Sequence, residues 1–173
     1  MTGAIRRHRL SLSVALAAVV LSLLAGGVCG RLLGDTASYE GLRERGATDV
    51  WLHNTAIALA TIVIGLLTLG LLALAAAVGG WFINGYALGA YLSSGYGAGD
   101  LLMRLPHLVP ELSAFVLMTA VGLSGGVRTL AAVRDRSLPP RRTWIRDSTV
   151  LAGTGLLLLV PAAVLEASEA FTP

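Results

Sequence analysis

The sequence predicts an all-α fold, a polytopic transmembrane helical bundle of about five spans with a cytoplasmic N-terminus. Of its 173 residues, 55% are hydrophobic and 13% are charged, and the mean hydropathy of +0.75 is high for a water-soluble protein. The apolar runs are long and continuous rather than alternating, and about 20 such residues cross a hydrocarbon core as a helix. We therefore expect the whole chain, 1–173, to form a single integral membrane domain.

The first span is predicted at 10–33, directly after a basic segment that contains Arg6, Arg7 and Arg9. This run is longer than the roughly 7–15 apolar residues of a cleavable signal peptide, so we expect an uncleaved anchor. The polar stretch 35–51 that follows carries four acidic and two basic residues. Its net charge of −2 suits the outer face of the membrane.

The remaining spans are predicted at 54–78, 79–94, 108–127 and 148–170. The third is short and rich in glycine, so it either crosses the bilayer or dips in and returns. The loop after the fourth span holds six arginines and two aspartates, a net charge of +4. The positive-inside rule places this loop in the cytoplasm, which requires the third span to cross.

Small residues at four-residue spacing predict close helix packing. Removing side chains at positions i and i+4 lets two helix backbones approach each other in a membrane. The glycines at this spacing are Gly26, Gly30 and Gly34, then Gly85 and Gly89, then Gly122 and Gly126. The spacing leaves open whether these faces meet within one chain or between chains.

The most unusual chemistry lies around His107 and Glu111. These residues are four apart, so on a helix they share one face. Two helix starts are compatible with the flanking prolines: Pro106, which a first turn tolerates, or Pro110, which would leave His107 in the preceding loop.

The predicted topology brings the outward ends of spans two, four and five to one leaflet. The polar residues at these ends are His53, Asn54, His107, Glu111, Glu166 and Glu169, with Asp100 and Arg104 in the adjoining loop. Three interpretations are compatible with such a cluster. One is a structural network in which Glu111 pairs with His107, Arg104 or Asn54, and the others are a metal site and a proton relay through His107, Glu111 and Glu166. No HExxH motif is present and the ligands would come from separate helices, so we predict no metal site and no cofactor.

The pair Asn84-Gly85 is predicted near the inner end of the third span, where Asn84 bonds across helices or caps a break that Gly85 permits. Both roles are structural. The sequence contains no GxSxG motif, no P-loop and no plausible Cys/His dyad, so we predict no catalytic residues and no enzyme activity. It also lacks a nucleic-acid-binding motif.

Several short motifs follow one another in a definite order along the chain. His53-Asn54 opens the second span, and Asn84-Gly85-Tyr86-Ala87-Leu88-Gly89, Leu105-Pro106-His107 with Glu111-Leu112, and Ala163-Val164-Leu165-Glu166-Ala167 follow. With these residues the region 51–173 resembles the stage II sporulation protein M family of bacterial integral membrane proteins. The resemblance implies a five-span, multi-pass protein of the bacterial inner (cell) membrane. It also implies a scaffold role, since the founding member acts with two peptidoglycan-hydrolysing partners at the sporulation septum.

The leading hypothesis is a non-catalytic membrane scaffold or accessory subunit that acts with other membrane or envelope proteins, or with transport proteins, in the lipid bilayer. Homo-oligomerisation stays open, and no nucleic-acid partner is expected. One alternative is a transport or channel subunit that uses the polar cluster at the outer leaflet. A second alternative is an intramembrane enzyme or peptide-modification partner that uses His107 and Glu111.

Overall fold

The computed structural model describes residues 2–33, 46–93, 99, 105–134 and 140–169. The described residues form a short helix and five long ones. These are α1 (Thr2–Arg7), α2 (Arg9–Leu33), α3 (Ala47–Leu67), α4 (Leu71–Ser93), α5 (Leu108–Val133) and α6 (Arg141–Glu169). Gly34, Asp100, Arg104, residues 172–173 and the side chain of Glu169 lie outside what the structure describes.

Each of the five long helices is apolar and long enough to cross a membrane. The shortest, α3, has 21 residues and therefore extends about 31 Å, close to the thickness of a hydrocarbon core. Large apolar side chains point outward all around the bundle, as Leu21 on α2, Leu67 on α3 and Leu157 on α6 do. Such a surface would aggregate in water and is solvated by lipid. The predicted all-α transmembrane bundle is confirmed.

Helix α5 lies at the centre of the bundle and packs against α2, α3, α4 and α6. It is buried on every side from Met118 to Ser124. The other helices bury one stripe each. On α3 the buried positions recur every three or four residues, from Val50 to Gly65, as expected for a helix with one face on the core.

The predicted boundary between the second and third spans was wrong. The sequence from Ala56 to Val78 is apolar apart from two threonines, yet α3 ends at Leu67 and α4 begins at Leu71. Leu69 and Gly70 adopt positive φ angles of 54° and 92°, and the Gly70 N–H donates to the Gly65 carbonyl at 2.6 Å. This bond closes the end of α3, and it is a common helix stop.

A threonine links the two helices across this turn. The Thr68 hydroxyl donates to the Ile64 carbonyl at 2.7 Å and accepts from the Leu72 N–H at 3.2 Å. The third span is therefore a full helix of 23 residues rather than the short segment 79–94. The fourth and fifth spans also extend beyond 108–127 and 148–170, because α5 continues to Val133 and α6 begins at Arg141.

Helix α1 and the beginning of α6 meet at one end of the bundle. Arg7 of α1 forms an ion pair with Asp147 of α6, in which Nη2 donates to Oδ1 at 2.9 Å and Nε donates to Oδ2. The chain traverses the bundle four times between these residues, through α2, α3, α4 and α5. An even number of traverses is needed to return to the same end, and α4 supplies one of them. We call this end, with Arg7 and Asp147, the basic end.

Candidate functional site: a polar cavity in the bundle

A cavity of about 330 Å³ lies between α3, α4, α5 and α6, toward the end of the bundle opposite the basic end. Its lining includes six of the polar residues that the sequence singles out. These six are His53, Asn54, Asn84, His107, Glu111 and Glu166. The rest of the lining consists mainly of apolar or small residues. The ionisable residues lie where α5 begins and α6 ends, and we call this end of the cavity its mouth.

The beginning of α5 sets the positions of His107 and Glu111. The helix starts at Leu108, between the two predicted starts, and His107 occupies the residue before it with φ −65° and ψ −27°. Pro110 is the third helical residue, where an N–H would have no partner within the helix, so the proline is tolerated. The Glu111 N–H donates to the His107 carbonyl at 3.1 Å. Pro106 lies in the exposed turn before His107 and does not line the cavity.

Asn54 of α3 reaches across to Glu111. Its Nδ2 donates to Glu111 Oε1 at 3.3 Å, and Asn54 is only 8% exposed. This contact is one of the pairings that the sequence suggested for Glu111. The two residues lie 57 positions apart in the sequence, and the bond ties α3 to the beginning of α5. His53, the neighbouring residue, is exposed at the cavity rim.

Glu166 approaches the His107–Glu111 pair from α6. One candidate ligand atom from each of the three residues lies within 4.8 Å of those from the other two. Each residue is half-buried. Glu111 lies in the first turn of α5 and Glu166 in the last turn of α6, and two adjacent carboxylates repel each other. A cation between them would compensate the negative charge.

Asn84 and Gly85 have separate surroundings. The prediction that Asn84 lies near the inner end of its span was wrong, because α4 begins at Leu71 and Asn84 lies in its second half. It is an exposed residue at the cavity wall. The helix continues through Gly85 without a break, so Asn84 does not cap one. Gly85 instead packs against α2, where an added Cβ would lie 2.1 Å from the Leu23 carbonyl oxygen.

The deeper part of the cavity contains residues that the sequence reasoning missed. Thr61 of α3 and Thr119 of α5 contribute to its wall, and the Thr61 hydroxyl donates to the Ile57 carbonyl of its own helix at 2.8 Å. Trp81 and Phe115 meet edge to face with ring centroids 6.1 Å apart. A threonine within an apolar span could have indicated a polar cavity. Many such threonines, however, only donate a hydrogen bond to the backbone of their own helix.

The cavity ends below these threonines. One turn further along α3, a Cβ added to Gly65 would lie 2.7 Å from the Ala73 Cβ and 2.7 Å from the Gly122 Cα. At this point α3, α4 and α5 are therefore closely packed between the cavity and the basic end. The cavity also opens laterally between α3 and α4, where its lining residues Ile57, Ala76, Gly80 and Asn84 are exposed. We call this side opening the α3/α4 groove.

Fold and site together define a multi-pass helical membrane protein whose bundle holds a polar cavity. The family model of Stage II sporulation protein M matches residues 13–169. The chain therefore belongs to the stage II sporulation protein M family, and the match extends the predicted resemblance over 51–173 to include the first span. Searches of the curated proteins and of the solved structures gave no match.

Proposed function

We propose that this chain is a non-catalytic scaffold or accessory subunit of the bacterial inner (cell) membrane, and that it binds a transmembrane helix of a partner protein in the α3/α4 groove. The partner would belong to a cell-envelope or transport assembly. Nine of the thirteen arginines lie in the N-terminal segment or between 128 and 146, so the basic end is the cytoplasmic end in this proposal.

The observation that carries the proposal is the composition of the α3/α4 groove. On α4, Ala76, Gly80 and Asn84 recur every four residues and are exposed, and an added Cβ on Gly80 would meet no atom within 4 Å. Small residues at this spacing let a second helix approach closely. The same glycine spacing within this chain joins α2 to α4, where Gly26 contacts the Phe82 carbonyl.

The polar residues of the groove favour a protein over an acyl chain as its occupant. Asn84 lies nine residues before the end of α4, about 13 Å along the helix and so within the hydrocarbon layer. An exposed amide at that depth has no partner in lipid, whereas a polar side chain of a neighbouring helix satisfies it. His53 lies on the opposite wall of the groove and extends the polar contact toward the membrane surface.

Photo-crosslinking in native membranes tests this proposal. A photoreactive amino acid at Gly80 should capture one membrane protein of the envelope or of a transport assembly. The matched control is Gly153 of α6, which is also an exposed glycine with no atom near an added Cβ. With the probe at Ile57, Gly80→Leu should abolish the adduct and Gly153→Leu should leave it unchanged. Adducts with lipid alone, or the same proteins from both positions, would contradict the proposal.

A transport subunit is the second candidate, because a cavity with two carboxylates reaches deep into the bundle at Thr61 and Thr119. Reconstituted protein would then show solute or ion flux that falls in Glu111→Gln or Glu166→Gln. The contact of Gly65 with Gly122 opposes a continuous pore through one chain, so flux in this candidate requires rearrangement of α3 against α5 or a partner subunit.

A further inference from the structure

The strongest cluster of potential ligands in the described part of the chain is the group formed by His107, Glu111 and Glu166. Their nearest candidate ligand atoms all lie within 4.8 Å of one another. In a tetrahedral zinc site the metal–ligand distances are about 2.0–2.2 Å, which places two ligand atoms about 3.4 Å apart. Closing this difference requires rotation about the χ angles of the glutamate side chains.

The three residues also have the chemistry of a transition-metal site. One imidazole and two carboxylates form a mixed nitrogen and oxygen set, which suits Zn²⁺ and related divalent ions. The helix geometry brings two of them together from α5, since His107 and Glu111 are one turn apart. The third comes from α6, which packs against α5. The sequence argues against a metal because its ligands belong to separate helices, and the fold removes that objection.

Charge supports a cation at this position. Among the described residues that line the cavity, Glu111 and Glu166 are the acidic ones, and the basic ones are the histidines His53 and His107. Two carboxylates this close together repel each other. A divalent ion balances both charges at once.

The surroundings supply what a metal site needs beyond its ligands. Asn54 donates to Glu111 Oε1 at 3.3 Å, which orients that carboxylate and leaves its second oxygen to bind an ion. The adjoining cavity of about 330 Å³ has room for on the order of ten waters at about 30 Å³ each. Water can therefore complete the coordination of an ion that three protein ligands hold.

We propose that His107, Glu111 and Glu166 bind one divalent transition-metal ion, with Zn²⁺ as the best fit, and that the ion joins the beginning of α5 to the end of α6. The site is distinct from the α3/α4 groove, because its ligands lie on the two other helices that line the cavity. Metal binding and partner capture can therefore fail independently.

Titration of the purified full-length protein with Zn²⁺ after chelator treatment tests this proposal. We expect one Zn²⁺ per chain, at least about 100-fold weaker binding in Glu166→Gln or His107→Ala, and about 10–100-fold weaker binding in Asn54→Ala, which removes only an orienting contact. His53→Ala is the matched control and should bind as the wild type does. Gly80→Leu should also retain binding, whatever the outcome of partner capture.

Two measurements on the wild-type chain keep the proposal testable if a variant fails to fold. Zn²⁺ should raise the wild-type Tm, because a ligand that binds only the folded state stabilises it. X-ray absorption should show imidazole nitrogen and oxygen ligands at about 2.0–2.2 Å. The proposal is overturned if the wild type shows no saturable binding, if Glu111→Gln and Glu166→Gln both bind like the wild type, or if sulfur from Cys29 is in the coordination shell.

Discussion

At the scale of single residues, the basic end of the bundle depends on a buried histidine. His8 is 5% exposed and lies next to Arg7, whose ion pair with Asp147 joins α1 to α6. Burial lowers the pKa of His8, the nearby charge of Asp147 raises it, and the charge of Arg7 lowers it further, with burial as the largest effect. The neutral imidazole is therefore the form that the folded protein favours.

This shift predicts that the protein loses stability in mild acid. Because the pKa of His8 is lower in the folded state than in the unfolded state, its contribution is complete above the unfolded pKa of about 6.5. The contribution is lost as the pH falls through the folded pKa, at about 1.4 kcal/mol for each unit of difference between the two states. Thermal unfolding between pH 7.5 and 5 should show this loss.

His8→Gln is the control for the acid effect, since glutamine does not titrate and is close in size. Its Tm should vary less over the same pH range than the wild-type Tm does. Equal pH dependence in both proteins would contradict the assignment to His8.

Local patterns predicted some of these residues and missed others. His107 and Glu111 were placed together because helical spacing is a property of neighbouring positions. Asn54 and Glu111 were also linked through the order of the spans. The pair of Arg7 with Asp147 was missed, because 140 positions separate them and opposite charges in two basic segments do not reveal which of them meet.

At the scale of helices, glycine spacing determines how closely α2 and α4 pack. A Cβ added to Gly26 would lie 2.0 Å from the Phe82 carbonyl oxygen, and one added to Gly30 would lie 1.9 Å from that of Tyr86. On α4, Gly89 approaches the Gly27 carbonyl oxygen in the same way. The glycine faces therefore meet within one chain, which resolves the alternative that the sequence left open for this pair.

Two glycines of α4 provide a matched test of this packing. Gly85→Ala places a methyl group 2.1 Å from the Leu23 carbonyl oxygen, whereas Gly79→Ala meets no atom within 4 Å. The first should destabilise the protein by about 1–3 kcal/mol, as overpacking does. The second should be neutral or slightly stabilising, because alanine favours a helix more than glycine does. Unfolding in sodium dodecyl sulfate measures both, and equal effects would contradict the packing.

The turn between α3 and α4 could not be predicted from the sequence. Thr68, Leu69 and Gly70 lie inside an apolar run, so no change in polarity marks the boundary. The stop depends on backbone geometry, with Leu69 in a conformation that leucine rarely adopts. The wrong boundary between these spans also gave a wrong position for Asn84, because its depth in the membrane depends on where α4 begins.

At the scale of the whole molecule, the order of the five spans was predictable from charge and length. The basic loop after the fourth span requires an even number of crossings before it, and the contact of Arg7 with Asp147 meets that requirement. The cavity was only partly predictable. Its mouth follows from the polar span ends, whereas its depth depends on how four helices pack.

Cysteine accessibility tests which side the basic end faces. In a Cys29→Ser background, Arg142→Cys at the beginning of α6 and Thr48→Cys at the beginning of α3 are both exposed positions at opposite ends of the bundle. With the basic end in the cytoplasm, a membrane-impermeant thiol reagent added to intact cells should label the Thr48→Cys variant and not the Arg142→Cys variant. Labelling of the Arg142→Cys variant alone would invert the proposed orientation.

The contact of Gly65 with Ala73 and Gly122 separates the cavity from the basic end along α3. A ligand in the cavity then exchanges through the mouth or the α3/α4 groove. With the basic end in the cytoplasm, as proposed, the mouth faces the extracytoplasmic side. In this orientation the proposed Zn²⁺ site would take its ion from outside the cell.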